Sequence, residues 1–318
     1  MFRFLHIGFQ RLYLRVLQRE IDEVPSHVGI IQDGNRRYAR NRGVKAPDGH
    51  REGAETTEDV LNWCADLGVD ELTLYAFSIE NFERPDEEIE PLFDLLVRKL
   101  REFADADHVH EQGVCIHAIG DIERLPPRVR AAVEYAERRT AYNNQFRLNV
   151  ALAYGGRNEL LTAAKNVTEE VCDGELDLEA IDVDTIEERI YDHPVQKVDL
   201  IVRTGGDERT SNFLPWYASG NEAAVYFSTP YWPEFSRVDF LQAIRTYQAR
   251  EKSWQRDRTK RAVALVRALA EFEVEEAKQV AGRLRTHLSR TDVSLPDELT
   301  QEGVADPPDS SSGTETAD

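Results

Sequence analysis

The sequence predicts an α/β fold, a single domain with a mainly parallel six-stranded sheet flanked by helices. Short apolar, β-branched runs alternate with segments of helical periodicity from Val28 onward, which implies right-handed crossovers between parallel strands. Polar runs that contain glycine follow the ends of several of these strands, where open sheets bind their ligands. The chain of 318 residues is long enough to bury the core that such a sheet needs.

Six segments have the composition of strands, and four segments between them have the periodicity of helices. The predicted strands are Val28–Ile31, Leu72–Phe77, Val114–Ile119, Leu148–Ala153, Leu200–Val202 and Ala224–Phe227. The predicted helices are Glu55–Leu67, Glu87–Ala104, Pro127–Asn143 and Glu159–Val171. Because parallel neighbours need a long crossover, each helix is expected to carry the chain back across the sheet.

The N-terminal segment, residues 1–21, is predicted to form an amphipathic helix. Arginines are interspersed along it, and its apolar face consists of Phe2, Leu5, Phe9, Leu12 and Val16. Such a helix can lie on an anionic membrane surface. It can equally pack on its own domain or on a partner, and both interpretations stay open.

The main domain is expected to span residues 22–250. A helical segment, roughly Phe240–Ser289, is predicted to follow the last strand, and residues 251–290 are expected to form a C-terminal helical extension. Residues 291–318 are rich in acidic residues, proline and serine, a composition that cannot form a core. We therefore expect a disordered acidic tail after the extension.

The net charge of −20 at pH 7 disfavours nucleic acid as a partner. Lysine is scarce and carboxylates are abundant, which suits a halophilic protein, although an ordinary acidic cytosolic protein can share this composition. No apolar stretch is long enough to cross a membrane, so a cytoplasmic protein is expected, with peripheral contact at the cytoplasmic membrane face as an option. The widely spaced Cys64, Cys115 and Cys172 are predicted to be small core residues.

Four predicted strands run directly into polar segments. These segments are Gln32–Arg37, Ser78–Arg84, Tyr154–Asn158 and Arg203–Asn212. Any one of them alone would be typical of a turn or a solvated loop. Because the carboxyl ends of parallel strands meet at one edge of a sheet, their joint placement predicts a ligand site there.

The residue types in these segments are typical of a phosphate site. Gly34 allows a tight turn into the N-terminus of a helix, whose free N–H groups attract anions. Arg37, Arg203 and Arg209 can each bind phosphate oxygens through two N–H groups, and Ser211 adds a neutral donor. The segments therefore predict a site that binds a diphosphate.

Asp33 is a carboxylate among these cations, which indicates a ligand for Mg²⁺ that bridges phosphate oxygens. Glu222, in the segment GNEAAVYF, is the candidate second ligand. Other phosphate and metal motifs are missing from the sequence, namely the P-loop, the dinucleotide-binding GxGxxG, HExxH and DDxxD.

Six motifs occur in a fixed order along the chain: HVGIIQDGNRRYARNRG, GHREGAE, LTLYAFSIENFERP, LNVALAYGGRNEL, VDLIVRTGGDERTSNFLPW and YWPEF. In this order they resemble the cis-prenyltransferases, the family of undecaprenyl and dehydrodolichyl diphosphate synthases. The resemblance covers roughly Ser26 to Arg250, and several long motifs in one order are specific.

The resemblance implies a role for each site residue. Asp33 would hold Mg²⁺ and support the chemistry, Glu222 would complete the metal site, and Asn81 is the candidate proton acceptor. The residues expected to bind the substrates are Gly34, Asn35, Arg36, Arg37, His50, Ser78, Glu80, Phe82, Arg84, Arg203, Arg209 and Ser211. Within this set, Arg203, Arg209 and Ser211 would hold isopentenyl diphosphate.

The implied reaction adds isopentenyl diphosphate repeatedly, in cis, to an allylic diphosphate, with geranylgeranyl or farnesyl diphosphate as the starter. A long-chain, undecaprenyl-like product for a glycosyl carrier lipid and a homodimer are expected. The growing chain needs an apolar tunnel, and the following apolar residues could line it or pack the core: Val60, Leu61, Ile89, Leu92, Phe93, Leu96 and Leu100. Two other classes stay open, a non-catalytic scaffold subunit and a phosphate-ester hydrolase.

The chain departs from the family pattern at several positions. An arginine common four residues before the GH histidine is Ala46 here, with Lys45 beside it. Tyr38 and Phe82 stand where tryptophan is common, and Asp207 replaces the glutamate of RTGGE. The change at Ala46 removes one expected contact to a diphosphate.

Overall fold

The six strands form one sheet in which every neighbouring pair is parallel. A computed structural model describes residues 14–190, 196–218, 223–256 and 260. The strand order is β3-β4-β2-β1-β5-β6, so the first strand lies inside the sheet and β3 and β6 form its edges. Through residue 254, the described residues form a single α/β domain with helices on the sheet.

The bounds of the strands lie within two residues of those predicted. They are β1 His27–Ile31, β2 Glu71–Tyr75, β3 Val114–Ile119, β4 Phe146–Ala151, β5 Leu200–Arg203 and β6 Ala224–Phe227. The fold class predicted from the sequence is therefore confirmed, and the sheet is wholly parallel.

The helices of the described residues are α1 (residues 14–20), α2 Asn35–Arg42, α3 Ala46–Leu67, α4 Asp86–Asp105, α5 Asp107–Glu111, α6 Pro127–Thr140, α7 Gly156–Asp173, α8 Val183–Glu187 and α9 (residues 237–256). Short 3₁₀ helices include Ile79–Glu83 and Trp232–Glu234. The four helices predicted between the strands are present as α3, α4, α6 and α7.

Two corrections concern the region after β1. The sequence predicted a helix after Gly34 without giving bounds for α2, and it placed the start of α3 at Glu55, whereas α3 begins at Ala46. Gly43, with φ 69°, ends α2 in a left-handed cap, and a proline in the first turn suits the start of α3. Two glycines early in α3 lower its helix propensity, which explains why the predicted start of α3 lies too late in the sequence.

The sheet buries a different apolar layer on each face. On one face α3, α4, α6 and α9 pack over residues such as Ile30, Leu74 and Leu148. On the other face the loop after β5, including Phe213 and Leu214, packs over Ile201 and its neighbours. Parallel sheets need this two-sided cover.

The described part of the N-terminal segment packs on the domain. Leu17 in α1 is 1% exposed, whereas Val16, which was assigned to the apolar face, is 44% exposed. The rest of the predicted amphipathic face, up to residue 13, lies outside the described residues. Gln248 in α9 bonds the backbone of Glu20 and Asp22, which ties the segment after α1 to α9.

The prediction that all three cysteines are core residues is correct for only one of them. Cys64 is a core residue, but Cys115 is half-buried and Cys172 is exposed. Cys172 lies near the C-terminal end of α7, and its neighbours in sequence do not reveal which face of the helix is covered. Within the described residues, no helix combines the length and apolarity that crossing a membrane requires.

Candidate active site

A cavity of about 540 Å³ lies between α3, α4 and the sheet. Its charged end lies at the carboxyl edge of the sheet, where Asp33 and Arg203 line it. Its other end is walled by apolar side chains, among them Leu96, Phe103 and Leu148. The cavity therefore has a charged end that contains arginines and an apolar interior.

Most of the predicted site residues meet at this cavity. Those that line it are Asp33, Asn35, His50, Ser78, Glu80, Asn81, Arg84, Arg203, Arg209 and Ser211. Gly34, Arg36, Arg37 and Phe82 are not part of the lining. The metal ligand predicted at Glu222 lies outside the described residues.

Asp33 is held by three donors at the end of β1. Its Oδ2 accepts a bond from Arg203 Nη2 at 2.7 Å, and its Oδ1 lies 2.6 Å from Gly34 N and 3.2 Å from Arg37 Nη2. Burial by itself raises the pKa of Asp33, but the bond to Arg203, the charges of Arg203 and Arg37 and the Gly34 N–H lower it by more, so the net shift is downward. Asp33 is therefore ionised at neutral pH.

The backbone of Asp33 is fixed by two later segments of the chain. Thr204 Oγ1 donates to the Asp33 carbonyl at 2.8 Å and accepts from the Asp33 N–H at 3.0 Å. The N–H of Trp232 donates to the same carbonyl at 3.0 Å. The start of α2 is thus positioned by the loops that follow β5 and β6.

Arg203 is the central cation of the site and is only 4% exposed. Besides Asp33, it donates through Nη1 to Ser211 Oγ at 2.7 Å and to the Arg209 carbonyl at 2.6 Å. Ser211 adopts φ 51°, a left-handed backbone that few residues other than glycine favour. The bonds to Arg203 help to hold the loop after β5 in this shape.

Asp207 is a site residue whose importance the sequence did not reveal. Its Oδ2 lies 3.5 Å from Arg37 Nη2, 3.4 Å from Arg203 Nη2 and 3.3 Å from Arg209 Nη2. Three guanidinium groups therefore share one carboxylate. The only signal in the sequence is its place in the RTGGD motif, where it replaces the glutamate of RTGGE.

Gly34 allows a close approach that any side chain would block. Its φ is 100°, and a Cβ there would lie 2.6 Å from Tyr231 Cδ1. The Tyr231 ring in turn lies under Arg37, with 5.5 Å from Cζ to the ring centroid. The tyrosine of the motif YWPEF thus orients Arg37. The sequence alone does not reveal this contact.

The segment after β2 is folded by its own side chains. Ser78 and Asn81 form a reciprocal capping box at the start of the 3₁₀ helix, and Asn81 Oδ1 accepts the Ser78 N–H at 3.2 Å. Phe82 was predicted to border the substrates, but it packs edge-on against Phe77 at 5.0 Å, with Arg124 over its ring. Phe82 therefore anchors the segment instead of lining the cavity.

The segment after β4 was predicted to contribute to the ligand site, but no residue of Tyr154–Asn158 lines the cavity. Tyr154 is fully buried and bonds the N–H of Leu214, and the Cβ position of Gly156 faces Asn212 and Pro215. This segment supports the loop after β5 from behind. A polar run at a strand end looks the same in sequence whether it contacts a ligand or a neighbouring loop.

The comparisons with known proteins agree with this geometry. The family model Prenyltransf, described as "Putative undecaprenyl diphosphate synthase", matches residues 31–255. The chain is 64% identical over 274 residues to the tritrans,polycis-undecaprenyl-diphosphate synthase (geranylgeranyl-diphosphate specific) of Halobacterium salinarum, covering 86% of this chain and 90% of that protein. It is 59% identical over 286 residues to the protein of the same name from Haloarcula marismortui, covering 90% and 94%.

The chain belongs to the undecaprenyl diphosphate synthase family of cis-prenyltransferases. It is accordingly an enzyme that elongates prenyl diphosphates in cis. A solved relative with the same fold is lavandulyl diphosphate synthase from Lavandula x intermedia in complex with dimethylallyl diphosphate. The two align with a TM-score of 0.65 and 32% identity over 70% of this chain and 95% of that one.

The cis-prenyltransferase places His50 beside a second group of arginines. His50 Nε2 lies 3.5 Å from Arg84 Nη1, and Arg36, which also pairs with Glu88 at 3.3 Å, is close enough to act on both. Burial first, then the charges of Arg84 and Arg36, lower the pKa of His50 to about 4. His50 is therefore neutral at pH 7 and adds no positive charge of its own.

This pKa shift predicts a pH dependence of stability. Between pH 6.5 and about 4, the unfolded chain binds a proton at His50 that the folded chain does not, so stability falls as the pH falls through this window. In His50→Gln, which cannot titrate, the free energy of unfolding should decline less steeply over the same range. Denaturant titrations of both proteins from pH 7 to 4 test this, and parallel curves would contradict it.

The approach of α3 to α2 depends on Gly53. A Cβ there would lie 2.2 Å from Asn35 Oδ1 and 2.7 Å from Trp232 Cδ1. Gly53 also accepts the Trp232 indole N–H at 2.7 Å through its carbonyl. The glycine therefore allows Asn35 and Trp232 to pack directly on the α3 backbone.

Gly53→Ala should destabilise the enzyme by about 1–3 kcal/mol, because overpacking displaces Asn35 and Trp232. In an open helix the same change would stabilise by roughly 0.5–1 kcal/mol, so the sign of the effect is diagnostic. Chemical denaturation measures it, with the exposed neighbour Glu55→Ala as the control. A gain in stability would show that the packing can relax.

The cis-prenyltransferase site has the donor chemistry that Mg²⁺ prefers. No group of three His, Cys, Asp or Glu side chains able to hold a metal occurs among the described residues. Mg²⁺ is, however, usually bound by one or two carboxylates together with substrate phosphates. Asp33 and Asp207 both lie within 3.5 Å of the same Arg37 and Arg203 nitrogens, so the residues present fit such a shared site.

Proposed function

We propose that this enzyme adds isopentenyl diphosphate repeatedly to geranylgeranyl diphosphate, with Mg²⁺, and makes a long-chain polyprenyl diphosphate of undecaprenyl type. The observation that carries the proposal is the cavity, which joins an arginine-rich end to an apolar interior. A prenyl diphosphate has the same two parts. The two relatives from Halobacterium salinarum and Haloarcula marismortui are named as specific for geranylgeranyl diphosphate, which supports the choice of starter.

The two diphosphates would occupy different parts of the charged end. The start of α2, with Gly34 to Arg37, and the pair of His50 and Arg84 would bind the allylic diphosphate, since a helix N-terminus and guanidinium groups attract phosphate. Arg203, Arg209 and Ser211 would bind isopentenyl diphosphate. Ser78 and Glu80, which also line the cavity, would border the substrates.

Ion pairs with Asp207 now occupy the arginines that the diphosphates would need. Arg37, Arg203 and Arg209 each contact this carboxylate. A diphosphate carries more charge than one carboxylate and offers more acceptor oxygens, so it competes effectively for the same N–H groups. Asp207 would keep the guanidinium groups clustered until the substrate arrives.

The reaction forms one carbon–carbon bond and breaks one carbon–oxygen bond. The allylic C1–O bond breaks and diphosphate leaves, while the C3=C4 double bond of isopentenyl diphosphate supplies the electron pair for the new bond to C1. The C2 proton is then lost, and a C2=C3 double bond remains. Arginine N–H groups that meet the leaving oxygen stabilise the developing charge.

Asn81 is the candidate residue near the departing proton. Its Oδ1 already accepts the Ser78 N–H, which fixes the side chain beside the cavity. A neutral amide is a weak base, so the proton would pass to a diphosphate oxygen or water, with Asn81 aligning the acceptor. We therefore propose that Asn81 positions the proton-transfer step.

Asp33 would hold the Mg²⁺, with Asp207 nearby and Glu222 as a further candidate ligand. When bound, the ion would neutralise diphosphate charge. Asp33 suits this role because its low pKa keeps it ionised and its backbone is fixed on both sides. The same carboxylate also orients Arg203 through the bond at 2.7 Å.

A radiolabel assay tests the proposed reaction. The full-length enzyme is incubated with Mg²⁺, labelled isopentenyl diphosphate and either geranylgeranyl or farnesyl diphosphate, and the products are sized. We expect long-chain products, with kcat/KM higher for the geranylgeranyl starter. A preference for farnesyl diphosphate would overturn the starter, and the absence of condensation would favour the scaffold alternative.

We further propose that the enzyme works as a homodimer adapted to high salt, at the cytoplasmic face of the membrane that receives its insoluble product. The net charge of −20 supports the salt adaptation, since self-repulsion of carboxylates is screened by salt. The free energy of unfolding should rise steeply between 0.1 M and molar KCl. Stability that is independent of KCl would count against this adaptation.

A further inference from the structure

The side wall of the cavity contains an ion pair that the proposed function does not use. Glu58 projects from α3 and Lys99 from α4, and Lys99 Nζ lies 2.8 Å from Glu58 Oε1. Both residues line the cavity. The pair therefore links the two helices that form the cavity wall.

This pair lies far from the charged end of the cavity. Both α3 and α4 lie in crossovers between parallel strands, so each runs from the carboxyl edge of the sheet back toward the start of the next strand. At 1.5 Å per residue, Glu58 lies about 12 Å along α3 from His50. The other charged residues that line the described cavity belong to the carboxyl edge, whereas the wall beyond the pair is apolar, with Leu100 and Phe103.

Two carboxylates next to Lys99 keep its ammonium group charged and hold its side chain against the cavity wall. Its Nζ also lies 3.2 Å from Glu102 Oε2, and its side chain is 29% exposed. Burial lowers the pKa of Lys99, but the bonds to Glu58 and Glu102 raise it more, so the net shift is upward. The apolar stem can thus face the cavity while the ammonium group stays with its carboxylates near solvent.

The cavity is too small for a long product. A volume of about 540 Å³ is within the range of pockets that enclose a drug-sized ligand, roughly 300–1,000 Å³. A polyprenyl chain of undecaprenyl length is much larger than such a ligand. A chain of that length needs more room than the cavity provides, and α3 and α4 flank the cavity where Glu58 joins Lys99.

We propose that the Glu58–Lys99 pair closes the gap between α3 and α4 and thereby limits the length of the product. This inference rests on the proposed function and deepens it. Each added isoprene unit pushes apolar chain toward a wall that resists, because opening it separates an ammonium group from its carboxylates. Elongation stops when the chain no longer finds room.

The lengths of the products made by matched variants test this inference. Glu58→Gln keeps the size of the side chain and removes its charge, and Lys99→Met keeps the apolar stem and removes the ammonium group. With geranylgeranyl diphosphate, Mg²⁺ and labelled isopentenyl diphosphate, both should shift the product distribution by at least one isoprene unit toward longer chains. Glu90→Gln, which breaks the Arg128–Glu90 pair on α4 outside the cavity lining, should leave the distribution unchanged.

A double variant distinguishes closure by the Glu58–Lys99 pair from a general loss of packing between α3 and α4. If the two residues act as one closure, Glu58→Gln/Lys99→Met should shift the product length no further than the larger single change. An unchanged or shorter product distribution in both single variants, with condensation intact, would overturn the inference. Loss of condensation in the unmodified enzyme would instead overturn the proposed function, and the inference with it.

Discussion

Asp33→Ala should lower kcat by about 10³-fold or more, because it removes both the candidate Mg²⁺ ligand and the carboxylate that orients Arg203. The side chain is 31% exposed, so the fold should survive the change. Steady-state kinetics with saturating substrates measures kcat, and circular dichroism verifies the fold. Additional Mg²⁺ should not restore activity, since the lost group also holds Arg203 in place.

The control for Asp33 is another aspartate that lies near the start of a helix and pairs with an arginine. Asp48, in the first turn of α3, pairs with Arg51 at 3.0 Å and lies outside the cavity lining. Asp48→Ala should keep kcat within about twofold, as expected for a surface change away from the site. An Asp33→Ala enzyme with kcat within tenfold of the unmodified one would contradict the assigned role.

Arg203→Lys should lower kcat/KM for isopentenyl diphosphate by about 100-fold or more, although the charge is retained. The planar guanidinium bonds Asp33 through one nitrogen and Ser211 through the other, and a single ammonium group cannot reach both. Because Arg203 is only 4% exposed, water cannot easily replace the lost partner. We also expect a loss of about 1.5–3 kcal/mol in the free energy of unfolding, typical of hydrogen bonds to charged groups.

Arg209→Lys provides the matched comparison for stability. Arg209 lies in the same loop, but its side chain is 68% exposed and its contact with Asp207 is a long 3.3 Å. Its replacement should change the free energy of unfolding by less than about 0.5 kcal/mol. Equal losses in the two variants would show that burial does not set the importance of Arg203.

The fold was predictable because its signals are local. All six strands were identified to within two residues, since β-branched runs between turns are legible without knowledge of their neighbours. The start of α3 was not predictable, because Gly49 and Gly53 lower helix propensity and only contact with Asn35 explains them. A glycine that allows two helices to approach closely cannot be recognised from its neighbours in sequence.

The site was predictable as a set of segments but less so as a set of contacts. The strand ends predicted that Asp33 and Arg203 would lie at one edge of the sheet, and both line the cavity there, because parallel strands bring their carboxyl ends together whatever their order. The family resemblance placed Phe82 beside the substrates, whereas in the structure it packs on Phe77. It also overlooked Tyr231 and Asp207, which act on Arg37 through space from distant parts of the chain.

The sequence by itself determined the parallel sheet, its ligand-binding edge and the phosphate-binding residue types, because propensity, periodicity and motif order are properties of short segments. Only the tertiary structure decided which polar runs face the cavity, which carboxylate gathers the arginines, and that Glu58 meets Lys99 in the wall. Those facts depend on distances between side chains far apart in the chain, and such distances are set by packing and not by any single segment.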